Sequence, residues 1–180
     1  CTAAPSADTV APLLILNAQV KLRSAKSERT IPIEQFFTGP GETVLQQGEI
    51  LTEILIPKPL PNTGSAYWKH QRRQALDLPI LGVAVLLSLD KATVTCSDIL
   101  CTTSPISTVL HSLEGDEVTC KEVRIALGVA APTPMRATKA ENLLRGKKVS
   151  DELLEEIAET AVKEAKPRDT LRGEAWYRRD

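Results

Sequence analysis

The chain has 180 residues, and its 22 Lys and Arg against 23 Asp and Glu give a formal net charge of −1. Hydrophobic residues make up 42% and charged residues 25%, which is typical of a soluble globular protein and excludes a disordered tail. The balanced charge argues against a protein that binds nucleic acid or an anionic membrane surface. The longest apolar run, residues 78–87, contains a proline and is too short to span a membrane.

Cysteine and histidine do not form a metal-binding pattern in this sequence. The four cysteines show no Cys-x-x-Cys spacing, and the two histidines, His70 and His111, are far apart. Structural zinc needs four ligands, which usually arrive in close pairs. We therefore expect no metal site, and we expect reduced cysteines in a cytoplasmic protein.

The first sixty residues predict strands and turns. Ala18, Val20 and Leu22 alternate with polar neighbours, which predicts a half-buried strand that returns through a hairpin to residues 30–33. Residues 49–56 alternate again and place four β-branched side chains on one face. Three prolines at positions 57, 59 and 61 end this strand and mark a subdomain boundary, because proline cannot donate to a strand ladder.

Three further strands are predicted in the rest of the chain, at residues 65–69, 80–89 and 123–129. The second of these is apolar enough to be buried on both faces. Residues 85–99 also resemble residues 109–123, with seven of fifteen positions identical. Chance similarity of two strand–turn–strand units would explain this match, but we favour a local duplication that adds a hairpin to the sheet.

Two helices are predicted near the end of the chain. Thr138 and Glu141 have the spacing of a capping box at the start of a short helix, which Gly146 can close. Ser150 can cap a longer helix that carries an apolar stripe at helical spacing and ends before Pro167.

Motifs of catalytic residues are missing from the sequence, which contains neither Gly-x-Ser-x-Gly nor His-Glu-x-x-His. We therefore assign no catalytic residue. Gly39 and Gly41 indicate a turn rather than a phosphate loop, because the third glycine of such a loop is missing. The basic cluster at residues 69–73 could contact phosphate or RNA, or lie at a solvated strand end. Asp77 lies close behind it, which favours an internal ion pair or a polar ligand contact.

Six segments of the sequence carry a family resemblance when they are taken together and in order. They are residues 2–12 (TAAPSADTVAP), 31–43 (IPIEQFFTGPGET), 49–57 (EILTEILIP), 69–77 (KHQRRQALD), 123–134 (VRIALGVAAPTP) and 167–179 (PRDTLRGEAWYRR). They resemble the flavin subunit of the molybdenum hydroxylases, the family of xanthine dehydrogenase, aerobic carbon monoxide dehydrogenase and 4-hydroxybenzoyl-CoA reductase.

The resemblance implies an α+β fold in two parts. Residues 1–61 would be the trailing strands of an FAD-binding domain. Residues 62–180 would be an antiparallel sheet with helices, similar to the C-terminal domain of carbon monoxide dehydrogenase flavoproteins. The family has a short turn where this chain has residues 91–115, so we expect an insertion or duplication there. We also expect the chain to be a piece of a longer polypeptide, because the family's phosphate loop would precede Cys1.

The resemblance also implies that FAD is the cofactor. Thr2 and Asp8 match positions that hydrogen-bond FAD, although Asp8 could instead cap a turn. Ala4 departs from the family's serine, which removes one hydroxyl from this motif. Ile50 and Leu51 match an apolar pair that packs on the flavin, although ordinary core packing is the alternative for one of them.

Two further positions match the family in the segment after the prolines. Lys69 matches a lysine near the isoalloxazine ring, where a cation would raise the flavin potential. Asp77 matches the acidic end of the same segment and could orient Lys69 or Arg73. Trp176 and Tyr177 correspond to the family's C-terminal aromatic position, and we expect them to anchor the core rather than stack on flavin.

The function implied by the resemblance is electron transfer between an iron–sulfur partner and an external acceptor. Molybdopterin and two-iron two-sulfur clusters would lie on a large and a small partner subunit, respectively. We expect this chain alone to bind FAD weakly or not at all and to be inactive, because the phosphate loop would have to come from elsewhere. The alternative is a non-catalytic assembly or docking module of such a complex.

Overall fold

The computed structural model describes residues 3–73, 77–90, 119–170 and 173–179. Its strands are β1 (Gln19–Arg23), β2 (Glu28–Pro32), β3 (Phe37–Gly39), β4 (Glu42–Thr43), β5 (Ile50–Leu55), β6 (Thr63–His70), β7 (Leu81–Leu89), β8 (Cys120–Gly128) and β9 (Met135–Arg136). Its helices are α1 (Val10–Ile15), α2 (Thr138–Leu144) and α3 (Asp151–Glu164). The strand pairs in these ranges are antiparallel, and the predicted α+β class is confirmed.

The first sheet has the strand order β2-β1-β5 and contains the predicted hairpin. Strand β1 pairs with β2 so that Val20 lies opposite Ile31, and on its other side Val20 lies opposite Ile54 of β5. The alternation of β1 has the predicted result, because Val20 and Leu22 are fully buried. Strand β5 forms where predicted, at an edge of this sheet, but its β-branched residues do not share one face. The register shifts between Lys21 and Leu22, so that Ile50 lies opposite Arg23 whereas Ile54 lies opposite Val20, and both isoleucines are exposed.

The prediction of strands and turns before residue 60 is wrong at α1, which is a short helix. Helix α1 has six residues and buries Val10, Ala11 and Leu14. Pro12 lies in its first turn, where proline is tolerated because the amide would have no helical partner there. A single turn and a half with apolar residues on most sides is too short to show a helical period.

The second sheet has the strand order β6-β7-β8-β9 and contains the three other predicted strands. One face of β7 packs against α1 through Ala84 and Leu86. The opposite face packs through Val83 and Val85 against the core around α2 and α3. The predicted burial of both faces of this strand therefore holds for the layers that the structure describes.

Small residues let α1 lie close to the second sheet. Gly82 of β7 is opposite Gly128 of β8, and Ala84 is opposite Ala126. A Cβ atom added at Gly128 would lie 3.9 Å from the Cβ of Ala11, so helix and sheet are already in contact there. Because α1 packs so closely on the sheet, the residues that precede α1 lie next to strand β6.

The helix α2 begins without the predicted capping box. Ala137 is its N-cap and makes no side-chain cap bond. The Glu141 side chain is buried instead, where its carboxylate accepts hydrogen bonds from the Ile125 backbone N–H at 2.9 Å and from the Arg136 guanidinium. Helix α3 does have the predicted cap, because the Ser150 hydroxyl accepts a hydrogen bond from the Leu153 N–H.

The strands β7 and β8 are neighbours, although 30 residues separate them in sequence. The Asp90 N–H donates to the Thr119 carbonyl at 3.1 Å, so the chain leaves and re-enters the sheet at one point. The predicted insertion at 91–115 and most of the sequence repeat lie outside the described residues. The domain boundary between residues 61 and 62 stays a prediction. Among the helices that the structure describes, none is long and apolar enough to cross a membrane.

Candidate functional site

Asp8 and Lys69 lie in contact, although 61 positions separate them in sequence. Asp8 precedes α1, and Lys69 lies near the end of β6. The Lys69 Nζ donates to Asp8 Oδ2 at 2.8 Å. Tyr67 lies two residues before Lys69, on the same face of the strand, and its hydroxyl donates to Asp8 Oδ1 at 3.4 Å. These three residues form the Asp8–Lys69 cluster.

The Asp8–Lys69 cluster is only partly shielded from solvent. The exposed fraction of the side chain is 22% for Lys69 and 43% for Asp8. Burial, with the negative charge of Asp8 and the hydrogen bond to it as smaller causes, raises the pKa of Tyr67 to about 12. The Tyr67 hydroxyl therefore stays a donor at neutral pH, and the cluster can still accept from ligand hydroxyls through Asp8 and donate to an electron-rich ligand through Lys69.

Ile50 and Leu51 point to opposite faces of β5 and do not form one apolar surface. Ile50 is 65% exposed, whereas Leu51 is partly buried and packs against the core beneath the sheet. A flat ring that approaches β5 from solvent can therefore contact Ile50 but not Leu51. The geometry matches the alternative in which one residue of the pair is an ordinary core residue.

Asp77 organises the turn that follows β6. Its carboxylate accepts hydrogen bonds from the backbone N–H groups of Arg72 at 3.1 Å, Arg73 at 3.2 Å and Leu78 at 2.9 Å. Burial raises the pKa of Asp77, but these backbone hydrogen bonds outweigh burial and bring it below its ordinary value. The carboxylate that contacts Lys69 is Asp8, so of the two residues that Asp77 was expected to orient, Lys69 or Arg73, the contact is with Arg73. The place of Asp77 in an FAD site stays a prediction. The remaining predicted ligand, Thr2, lies outside the described residues.

The aromatic residues near the C-terminus are not core anchors, contrary to the prediction. Trp176 is 61% exposed and Tyr177 is 43% exposed. The Tyr177 hydroxyl lies 3.0 Å from His70 Nε2, and the His70 ring stacks on exposed Trp68. The anchor is Arg178, a residue that the sequence reasoning missed because charged residues are usually exposed.

Arg178 is 5% exposed and ties the C-terminal segment to the second sheet. Its Nε donates to the Ile80 carbonyl at 3.0 Å, and its Nη2 donates to Thr170 Oγ1 at 2.7 Å. A third donor contacts the Arg168 carbonyl. Burial lowers the pKa of Arg178. In the sequence, the only indication that Arg178 is important is its position in the segment 167–179, which resembles the family.

Groups of three or more possible metal ligands do not occur among the described residues. Among the predicted site residues that the structure describes, Asp8, Lys69 and the exposed Ile50 have side chains placed to meet a ligand.

Two family models match most of the chain between them. The FAD binding domain in molybdopterin dehydrogenase matches residues 1–59, and the CO dehydrogenase flavoprotein C-terminal domain matches residues 103–180. The chain belongs to the family of FAD-binding subunits of molybdenum hydroxylases. The order of the two matched regions is the order that the six sequence segments predicted.

Relatives in this family match the chain over almost all of its length. The xanthine dehydrogenase FAD-binding subunit of Escherichia coli O157:H7 is 31% identical over 99% of this chain and 52% of its own length. The glyceraldehyde dehydrogenase medium chain of Sulfolobus acidocaldarius is 30% identical over 98% of this chain and 53% of its own length. The chain therefore spans about half the length of the curated relatives that it matches.

A solved structure in this family has the same fold. Carbon monoxide dehydrogenase of Hydrogenophaga pseudoflava, in a form that lacks the Mo-pyranopterin moiety, matches with a TM-score of 0.79 and 29% identity. The match covers 99% of this chain and 53% of that chain. The predicted similarity to the C-terminal part of carbon monoxide dehydrogenase flavoproteins is confirmed.

Proposed function

We propose that the Asp8–Lys69 cluster is part of an FAD-binding site in an electron-transfer subunit of a molybdenum hydroxylase-type oxidoreductase. The observation that carries this proposal is the contact between Asp8 and Lys69, which lie in the two motifs that resemble the family's FAD-binding segments. The match of residues 1–59 to an FAD-binding domain supports it.

The residues of the cluster fit the chemistry of FAD. An ionised carboxylate such as Asp8 can accept hydrogen bonds from ribityl or ribose hydroxyls, and both of its oxygens keep further lone pairs. A lysine ammonium has three donors, of which Asp8 uses one, so Lys69 can also donate to an electron-rich atom of the isoalloxazine. FAD, when bound, supplies the redox chemistry. This chain binds and orients it and sets the local charge.

The other predicted site residues take different parts in the proposed site. Ile50 offers an exposed apolar side chain to the flat ring system. Leu51 supports the same strand from the core side, and Asp77 fixes the turn after Lys69. Thr2 is proposed to donate from its hydroxyl to FAD, as its place in the matched motif suggests.

We further propose that the subunit works in a cytoplasmic complex. The proposed partners are an iron–sulfur small subunit and a molybdopterin-binding large subunit. The flavin would pass electrons between the iron–sulfur partner and an external acceptor. Relatives that are medium chains of dehydrogenases support this proposal. Because the chain spans half the length of its relatives, we expect FAD binding and activity to need residues beyond these 180.

A second candidate is a docking module that has lost the flavin function. The exposed rings of Trp68 and Trp176 favour it, because tryptophan is enriched at the energetic centres of protein interfaces.

The deciding experiment is FAD occupancy of the complex purified from cells that express the protein with its native partners. We expect the flavin absorbance to correspond to about one FAD per chain, and Asp8→Asn to weaken FAD binding roughly tenfold, since the charged acceptor becomes a neutral one and its hydrogen bonds weaken. Glu53→Gln is the matched control, because it removes the same charge from an exposed ion pair with Lys21 on β1. A complex that assembles without flavin absorbance, even after reconstitution with FAD, would support the docking module instead.

A further inference from the structure

The ring of Tyr67 reaches from β6 across the neighbouring strand to Asp8. Tyr67 is paired with Ala84 of β7, and Lys69 is paired with Gly82. The Tyr67 ring leans diagonally over Gly82, so that its hydroxyl arrives beside the ion pair of Asp8 and Lys69. This diagonal path is possible because the strand beneath the ring carries glycine at the crossing point.

The space above Gly82 is occupied by the Tyr67 side chain. A Cβ atom at position 82 would lie 2.9 Å from the Tyr67 hydroxyl oxygen and 3.3 Å from its Cε2 atom. The first distance is shorter than real Cβ contacts allow, so alanine at this position would displace the hydroxyl. Gly82 and Tyr67 therefore form a matched pair, in which glycine provides the space that the hydroxyl needs to reach Asp8.

The Asp8 carboxylate is held through both of its oxygens. Lys69 Nζ donates to Oδ2 at 2.8 Å, and the Tyr67 hydroxyl donates to Oδ1 at 3.4 Å. A carboxylate with a donor on one oxygen can still rotate about its Cβ–Cγ bond, whereas a second donor on the other oxygen restricts that rotation. The hydrogen bond from Tyr67 is long for an O–H···O contact, so its own contribution to stability is small.

We propose that Tyr67 is a positioning residue of this site: its hydroxyl, seated over Gly82, orients the Asp8 carboxylate so that its remaining lone pairs face the ligand. The inference rests on the proposed flavin function and names a residue that the family motifs in the sequence did not single out. Tyr67 acts through Asp8 and needs no contact with the cofactor.

The test compares Tyr67→Phe with Tyr177→Phe in the purified native complex. The Tyr177 hydroxyl contacts His70, so its removal is a matched control at a second tyrosine. We expect Tyr67→Phe to raise the dissociation constant of FAD about three- to tenfold, the effect of one hydrogen bond, and Tyr177→Phe to leave it unchanged. In an Asp8→Ala background the effect of Tyr67→Phe should disappear, because the group that it positions is gone.

Gly82→Ala provides a second route to the same test, since it displaces the hydroxyl and keeps the tyrosine. We expect it to weaken FAD binding in the wild-type background and to do so less in the Tyr67→Phe background, where the shortest contact is removed. The positioning role is overturned if Tyr67→Phe weakens FAD binding equally with and without Asp8. It is also overturned if Tyr67→Phe does not weaken FAD binding although the wild-type complex binds FAD. Either result would leave the flavin function intact. A wild-type complex that never binds FAD would overturn both.

Discussion

Lys69 forms an ion pair with Asp8 across 2.8 Å, so the cation proposed to face the flavin already has an anionic partner. The two charges oppose each other in their effect on a nearby redox group, because a cation stabilises the anionic reduced flavin and an anion destabilises it. The effective charge at the proposed site is therefore set by the pair rather than by Lys69 alone.

We expect opposite shifts of the flavin midpoint potential from the two partners of this pair. Lys69→Gln should lower the potential and Asp8→Asn should raise it, as measured by reductive titration of the flavin absorbance in the complex. Lys21→Gln, which breaks an exposed pair on the first sheet, should leave the potential unchanged. Shifts of the same sign in the two variants would contradict the assignment of the pair to the flavin site.

Ile50 should be sensitive to charge in a way that Ile54, the other exposed isoleucine of β5, is not. We expect Ile50→Glu to reduce FAD occupancy of the complex, because it places a carboxylate where an aliphatic side chain is proposed to meet the flat ring. Ile54→Glu is the matched control, since Ile54 is also exposed on β5. Equal FAD occupancy in the two variants would show that Ile50 does not contact the cofactor.

The pair of buried Glu141 and partly buried Arg136 should contribute to stability. Glu141→Ala leaves the Ile125 N–H without its acceptor and the Arg136 guanidinium without its anionic partner, so we expect a loss of about 2–4 kcal/mol in the free energy of unfolding by urea. Glu159→Ala on α3 removes one partner of an exposed pair with Lys163 and should cost less than about 1 kcal/mol. A loss below about 1 kcal/mol for Glu141→Ala would show that the pair is dispensable.

Stability at acidic pH should depend on Glu49. The hydrogen bond from Arg29 lowers the pKa of Glu49, with a smaller effect from the Gln46 backbone N–H. A carboxyl group whose pKa is lower in the folded state stabilises the fold above its unfolded pKa of about 4.3, and this contribution is lost as the pH falls through the folded pKa. Glu49→Gln should therefore lower the melting temperature at pH 7, and the difference from wild type should shrink towards pH 3. A difference that is the same at both pH values would contradict this linkage.

The elements with strict alternation could be predicted from the sequence because alternation is a local property. Strand β1 and its hairpin with β2, and strand β5, followed from period-two patterns, whereas β7 followed from a continuous apolar run. Helix α1 did not, because it has too few residues to show a period. The side-chain role of Glu141 was also missed, since its spacing from Thr138 matches a cap while its partners lie on β8 and β9.

The site could be predicted as a set of residues but not as a geometry. The family resemblance identified Asp8 and Lys69, yet nothing local in the sequence shows that they touch. Their contact depends on the packing of α1 on a sheet surface of glycine and alanine, which is a property of three elements together. The role of Tyr67 depends in turn on a missing side chain at Gly82.

The packing of α1 also joins the two regions that the family models match separately. Val10 and Leu14 from the first region share a hydrophobic core with Ala126 from the second, and with Ala84 and Leu86, which lie between the two matched ranges. Loss of either region would expose the apolar surface of the other, so their folding equilibria are coupled. We expect a single calorimetric transition in which amides of β1 and β7 lose hydrogen-exchange protection together, and two separate transitions would contradict it.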